Sequence, residues 1–273
     1  MSDWQTNDVE ANGIHLHYTR TGGAKPPVVL AHGFSDNGLC WTPVAEALAA
    51  TYDIIMVDAR GHGLSAAPEQ GYGSDNHAAD LAGVIRALGL QRPAVLGHSM
   101  GAAATLALAG TYPDAVGAIL LEDPPLRWLT EAETAGFDPA REASRRAWIT
   151  GLKSKTRAEL IADQRAQTPH WSAAELEPWA DSKLQLSLNV LNRPMAMTLD
   201  WPATVQQITC PALLITADTA RGAIVSAEDV AALQTLVPQL RVAHIAEAGH
   251  SIRRDQFARY MDTVRAFLAE TTA

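Results

Sequence analysis

The chain has 273 residues, a formal net charge of −9, 47% hydrophobic and 19% charged residues. That length can bury about three-quarters of the unfolded surface in one large domain. The acidic balance argues against a nucleic-acid partner, which calls for a basic face, and the apolar runs are too short to span a bilayer.

In chain order, 14–18 alternates apolar and polar residues, which predicts a half-exposed strand. The runs 27–31 and 54–57 are continuously apolar, as in interior strands of a parallel sheet covered on both faces. Between them 41–48 has helical spacing, and 75–88 predicts a second helix with Leu81, Val84, Ile85 and Leu88 on one face. A short apolar strand at 93–96 then leads into Gly97-His98-Ser99-Met100-Gly101 and an alanine-rich helix over 102–109. After a strand at 116–121 the alternation stops at Pro124-Pro125. From 124 to 202 only helical patterns occur, at 139–150, 156–167 and 173–188, and this stretch holds five of the seven tryptophans. Strand and helix alternation resumes with 212–216, 226–236, 241–245 and 256–268. The pattern predicts an α/β fold with a mostly parallel sheet. Its core is expected over 1–123 and 203–273, and a helical cap over 124–202.

The pentapeptide around Ser99 carries the chemistry. Gly-x-Ser-x-Gly between a buried strand and a helix is a nucleophile elbow, a strained turn that projects the serine hydroxyl into a cleft. Glycines two before and two after let strand and helix approach closely. A base is expected at His250, in the loop after the last strand, where ligands bind in open α/β sheets. Its place late in the chain fits the order Ser, acid, His. The orienting acid is expected at Asp218, after the strand ending at Thr216, with Asp123 or Glu122 after the preceding strand as rivals. Two backbone N–H groups, from Met100 and from Phe34 in the loop His32-Gly33-Phe34-Ser35, are the expected oxyanion donors.

Taken together, His32-Gly33-Phe34, the segment Asp58 to Ser65, Gly97 to Gly101 and Ala248-Gly249-His250 resemble the serial motifs of the α/β-hydrolase superfamily. The resemblance covers roughly 9–123 and 203–270, and the insert between resembles the family's cap or lid. It implies an eight-stranded sheet with the second strand antiparallel, a Ser–His–Asp triad, and neither cofactor nor metal. It also implies that the Asp58–Ser65 loop is structural. The chain departs from the pattern in the loop after the seventh strand, where the acid at Asp218 comes early and Gly222 late. It departs again at Ala102, where many relatives carry glycine.

A serine at the elbow points to a carboxylesterase or lactonase acting through an acyl-enzyme. A C–C bond hydrolase or a cofactor-free haloperoxidase (perhydrolase) would use the same residues, and a ligand receptor could share the scaffold. Trp128, Trp171, Trp179, Met195 and Met197 in the insert, with His32 and Ser35, are expected to line a pocket for a small apolar ester or lactone. No membrane or nucleic-acid partner is expected, and a homodimer stays open. The start of the chain lacks the basic and apolar regions of a leader, so a cytoplasmic location is expected. Cys40 and Cys210, far apart in sequence, are expected to be free thiols.

Overall fold

The computed structural model describes residues 4–126, 139–192 and 199–272. Its centre is an eight-stranded sheet in the order β1-β2-β4-β3-β5-β6-β7-β8. The strands are β1 (Gln5–Ala11), β2 (Ile14–Arg20), β3 (Pro27–Ala31), β4 (Asp53–Val57), β5 (Ala94–His98), β6 (Ala118–Glu122), β7 (Ala212–Ala217) and β8 (Leu240–Ile245). β2 runs antiparallel to both β1 and β4, and every later pairing is parallel. The one strand that patterning did not predict is β1. Its sequence is polar and its side chains are mostly exposed, so it shows no apolar alternation. It is set by the Asn12-Gly13 turn, where both residues have positive φ, 50° and 75°. That pair is favoured in tight hairpins because both central positions need φ above zero.

The continuous apolar strands are buried on both faces. Val29, Ile55, Val95, Ile119 and Leu214 face one core layer, and Val28, Ile54, Leu96, Leu120 and Leu213 face the other. This is the period of two expected when both sides of a parallel sheet are covered. The covering helices are α1 (Thr42–Leu48), α2 (Ser74–Ala87) and α3 (Met100–Thr111) from the first half of the chain. The segment between β6 and β7 contributes α4 (Pro139–Lys153), α5 (Arg157–Gln167), α6 (Ala173–Gln185) and α7 (Trp201–Val205), close to the helices predicted there. The chain closes with α8 (Ala227–Leu236), α9 (Ile252–Asp255) and α10 (Phe257–Thr271). Among the described residues, no helix is long and apolar enough to cross a membrane.

Helices α4 to α6 are tied to the core by polar contacts. Ser187 N–H donates to the Gly61 carbonyl at 2.8 Å, Asn37 Nδ2 to Gln185 Oε1 at 2.9 Å, and Lys183 Nζ to the Ser35 carbonyl at 2.7 Å. A small apolar cluster of Tyr72, Ile149, Leu186, Val190 and Leu191 fills the seam, with Phe34 packed against it. Both cysteines are free and buried.

Candidate active site

Ser99 sits between β5 and α3 with φ 49° and ψ −113°, a conformation that side chains other than glycine rarely adopt. The surroundings over-determine it. Ser99 N–H donates to the Glu122 carbonyl at 2.9 Å. A Cβ on Gly97 would lie 2.4 Å from the Gly101 oxygen, and one on Gly101 would lie 2.1 Å from the Ala31 oxygen. Both obstacles are backbone, so the two glycines are what allow β5, α3 and β3 to meet at the turn. Met100 is the first residue of α3, where N–H groups have no intrahelical acceptor.

Ser99 and His250 line one cleft of about 470 Å³. His250 Nδ1–H donates to Asp123 Oδ2 at 2.6 Å, and the Asp123 side chain is fully buried. Asp123 also accepts from Ile224 N–H at 2.9 Å and from Val225 N–H at 3.1 Å. It stands directly after β6 with φ 43°, a left-handed turn. The expectation at Asp218 is not met, because the carboxylate that His250 meets is Asp123. Asp218 lies at the surface, where it accepts from His244 Nε2 at 3.1 Å and from Glu247 N–H at 2.8 Å. The loop after β7 contributes backbone N–H groups that hold Asp123, rather than a carboxylate of its own. The other rival, Glu122, is also turned away. It accepts from Arg253 N–H at 3.0 Å, from Arg253 Nη1 at 3.1 Å and from the Tyr260 hydroxyl at 3.1 Å.

The loop bearing His250 is pinned on several sides. His98 Nε2–H donates to the His250 carbonyl at 2.9 Å, and Gly249 N–H donates to Asp255 Oδ2 at 2.8 Å. Burial, then the nearby Arg253 charge, push the His98 pKa well below the ordinary histidine value. His98 is therefore neutral, with its proton on Nε2 and Nδ1 facing Gly33. A Cβ on Gly33 would lie 2.5 Å from that nitrogen. This coupling explains why the first loop needs glycine beside His32.

Several expected lining residues are found at the cleft and others are not. Ser35, Trp171 and Trp179 line it, as does Phe34, expected only as a backbone donor. Trp148 lines it too, with its ring stacked 6.4 Å from that of Phe34. His32 is a correction, being 1% exposed and absent from the cleft lining. Its Nδ1–H donates to the Gly33 carbonyl at 2.9 Å, and its Nε2 accepts from Ala59 N–H at 3.0 Å. It joins the Asp58–Ser65 loop to the site. In that loop Asp58 accepts from Gly38 N–H at 2.6 Å and from Leu64 N–H at 2.8 Å. Trp128, Met195 and Met197 lie outside the described residues.

The cleft wall is also more polar than the tryptophans suggested. Asp36, Lys183 and Arg254 line it, from β3's loop, α6 and α9. Asp36 Oδ1 accepts from Lys183 Nζ at 3.0 Å, and Oδ2 accepts from Arg253 Nη2 at 3.3 Å and Arg254 Nη2 at 3.1 Å. Burial alone would raise the Asp36 pKa, but Arg254, Lys183 and Arg253 outweigh it and hold the carboxyl well below its ordinary value. Burial lowers the Lys183 pKa against the opposing pull of Asp36. Among the described residues no group of His, Cys, Asp and Glu could hold a metal ion.

Comparison with known proteins agrees with this architecture. Residues 26–253 match the family model described as alpha/beta hydrolase fold. N-formylmaleamate deformylase of Pseudomonas putida is 30% identical over 272 residues, covering 96% of this chain and 95% of that protein. 2-(Acetamidomethylene)succinate hydrolase of Mesorhizobium japonicum is 27% identical, covering 85% and 84%. A crystal structure of N-formylmaleamic acid deformylase Nfo from Pseudomonas putida aligns with a TM-score of 0.79 at 25% identity, covering 95% of this chain and all of that one. With this sheet, an elbow serine and a His250–Asp123 pair whose carboxylate is buried, the chain belongs to the alpha/beta hydrolase family and is a hydrolase.

Proposed function

We propose that the protein hydrolyses an acyl bond, in a carboxylic ester, lactone or N-acyl compound, through an acyl-enzyme on Ser99. The observation that carries this reading is the 2.6 Å bond from His250 Nδ1 to the buried Asp123, with His250 and Ser99 lining the same cleft. A carboxylate only accepts, so Nδ1 carries the proton and Nε2 is left as the basic nitrogen. Ser99 Oγ attacks the acyl carbon and its proton passes to His250 Nε2. The carbonyl π pair moves onto oxygen, facing the backbone N–H groups of Met100 and Phe34. When the intermediate collapses, the bond to the leaving oxygen or nitrogen breaks and that atom takes the proton from His250. Water then attacks the acyl-serine, giving its proton to His250, and Ser99 Oγ leaves with a proton as the carboxylic acid departs.

The ester and lactone reading comes from the serine itself. The extension to N-acyl compounds is supported by the two relatives, whose names denote a deformylase and a hydrolase of an acetamido compound. The test is a turnover screen of wild type and Ser99→Ala against p-nitrophenyl esters, acyl lactones and N-formyl or N-acetyl amides. Wild type is expected to turn over one of these classes and the variant to lose at least about 10³-fold in kcat. Turnover that survives in Ser99→Ala would refute the acyl-enzyme.

A further inference from the structure

We infer that the cleft recognises a substrate bearing a carboxylate, and that Arg254 and Trp171 form the subsite that holds it. The proposal rests on the acyl-transfer reading of the same cleft and names its substrate class.

Among the described residues, both carboxylates that line the cleft are ion-paired. Asp36 accepts from three cationic side chains, and Asp163 is paired with Lys155 at 2.7 Å. A cationic substrate would meet carboxylates that already carry cationic partners. Hydrogen-bond donors, by contrast, remain in excess.

Arg254 is the clearest of them. Its side chain is 3% exposed, yet it lines the cleft. Nε donates to Glu175 Oε2 at 2.9 Å and Nη2 to Asp36 Oδ2 at 3.1 Å, while Nη1 bonds to none of the described residues. Its guanidinium lies 4.6 Å from the centre of the Trp171 ring. Three fixed contacts thus hold a planar fork in place, with one nitrogen unspent at the cleft. A preorganised guanidinium of this kind suits a carboxylate better than a mobile lysine would. Lys183 differs in this respect, because the Ser35 carbonyl, Asp36 and the Ser182 hydroxyl occupy all three of its donors.

Trp171 supplies the second donor. Its Nε1–H is buried and bonds to none of the described residues, although Trp171 lines the cleft. Buried N–H groups in folded proteins nearly always have an acceptor, so this orphan on a residue of the cleft wall is a donor that a ligand oxygen would satisfy. A carboxylate has two oxygens, and the cation–π pair carries one unspent donor on each partner.

The test reads binding in Ser99→Ala protein, so that it does not depend on turnover. Calorimetry would compare monomethyl succinate and monomethyl glutarate with the matching dimethyl esters. The better half-ester is expected to bind at least about tenfold tighter than its diester, the scale of one charge-assisted hydrogen bond, and to lose affinity as salt rises. Trp171→Phe, which keeps the stacking ring but removes the N–H, is expected to shrink that ratio about threefold or more. Arg254→Lys should shrink it as well. Because Arg254 is also a structural ion, Trp171→Phe keeps the inference testable if the lysine variant does not fold. Diesters that bind as tightly as half-esters would overturn the inference, as would a ratio unmoved in folded Trp171→Phe. A wild type that turns over no ester, lactone or N-acyl compound of the screen would instead strike the acyl-transfer reading and leave this binding result standing.

Discussion

Replacing Asp123 by asparagine should disable the site while leaving its shape intact. Val225 N–H donates to Asp123 Oδ1 at 3.1 Å, while Ile224 N–H is shared between Oδ1 at 3.1 Å and Oδ2 at 2.9 Å, so an amide oxygen that keeps the Val225 bond takes the Oδ1 place. The amide NH2 is then forced toward His250 Nδ1, where the carboxylate oxygen now accepts at 2.6 Å. Two donors cannot face each other, so His250 would move its proton to Nε2 and lose the basic nitrogen that Ser99 needs. A wrong tautomer of this kind costs about 10⁴ in kcat, or about 5 kcal/mol of transition-state stabilisation. Asp218→Asn touches only surface contacts to His244, Glu247 and Arg221, so it should stay within about twofold of wild type. The assay is steady-state turnover of whichever acyl substrate the screen identifies, with folding checked by circular dichroism. Asp123→Asn retaining more than about a tenth of wild-type kcat would refute this reasoning, as would an equal loss in Asp218→Asn.

Three further outcomes follow from named contacts. Gly101→Ala would place a Cβ 2.1 Å from the Ala31 backbone oxygen, so we expect a loss of stability of at least about 1–3 kcal/mol in urea unfolding, with activity falling in parallel. His98→Ala frees the His250 carbonyl, and a base displaced by about 1 Å should lower kcat about 10- to 100-fold with little change in KM. Asp36→Asn leaves Lys183, Arg253 and Arg254 without their shared counter-ion and should cost about 3–5 kcal/mol, read as a shift in the urea midpoint. The folded pKa of Asp36 lies below its unfolded value, so its stabilisation is present above the unfolded value and disappears as pH falls through the folded one. Asp36→Asn should accordingly show a flatter acid limb in stability against pH.

Sequence patterning located the sheet, the elbow and His250 because each is a local signal. Apolar runs announce buried strands, and the Gly97–Gly101 spacing announces a turn whose neighbours cannot carry side chains. The acid was harder to read. Asp123 and Asp218 both follow apolar strands, and only the left-handed φ at Asp123 and the N–H groups of Ile224 and Val225 decide between them. Those features belong to three-dimensional placement, although an acid directly after the strand beside the elbow strand was a usable hint. The Asp36 cluster had no such hint. Its members, at 36, 175, 183, 253 and 254, come from separate elements that meet only after the helical insert docks. A short basic pair such as Arg253-Arg254 carries no sign of burial in sequence, yet both side chains are buried. β1 was missed for the opposite reason. Its strand is polar, and only the Asn12-Gly13 hairpin signal marks it.

The most direct test of the account is to trap the covalent intermediate. Wild-type protein would be quenched in acid during turnover of an activated acyl ester, weighed intact by mass spectrometry and digested for peptide mapping. The account predicts a mass increase of one acyl group on the peptide containing Ser99, absent from Ser99→Ala. An acyl group on another residue, or turnover with no covalent species and full activity in Ser99→Ala, would contradict it.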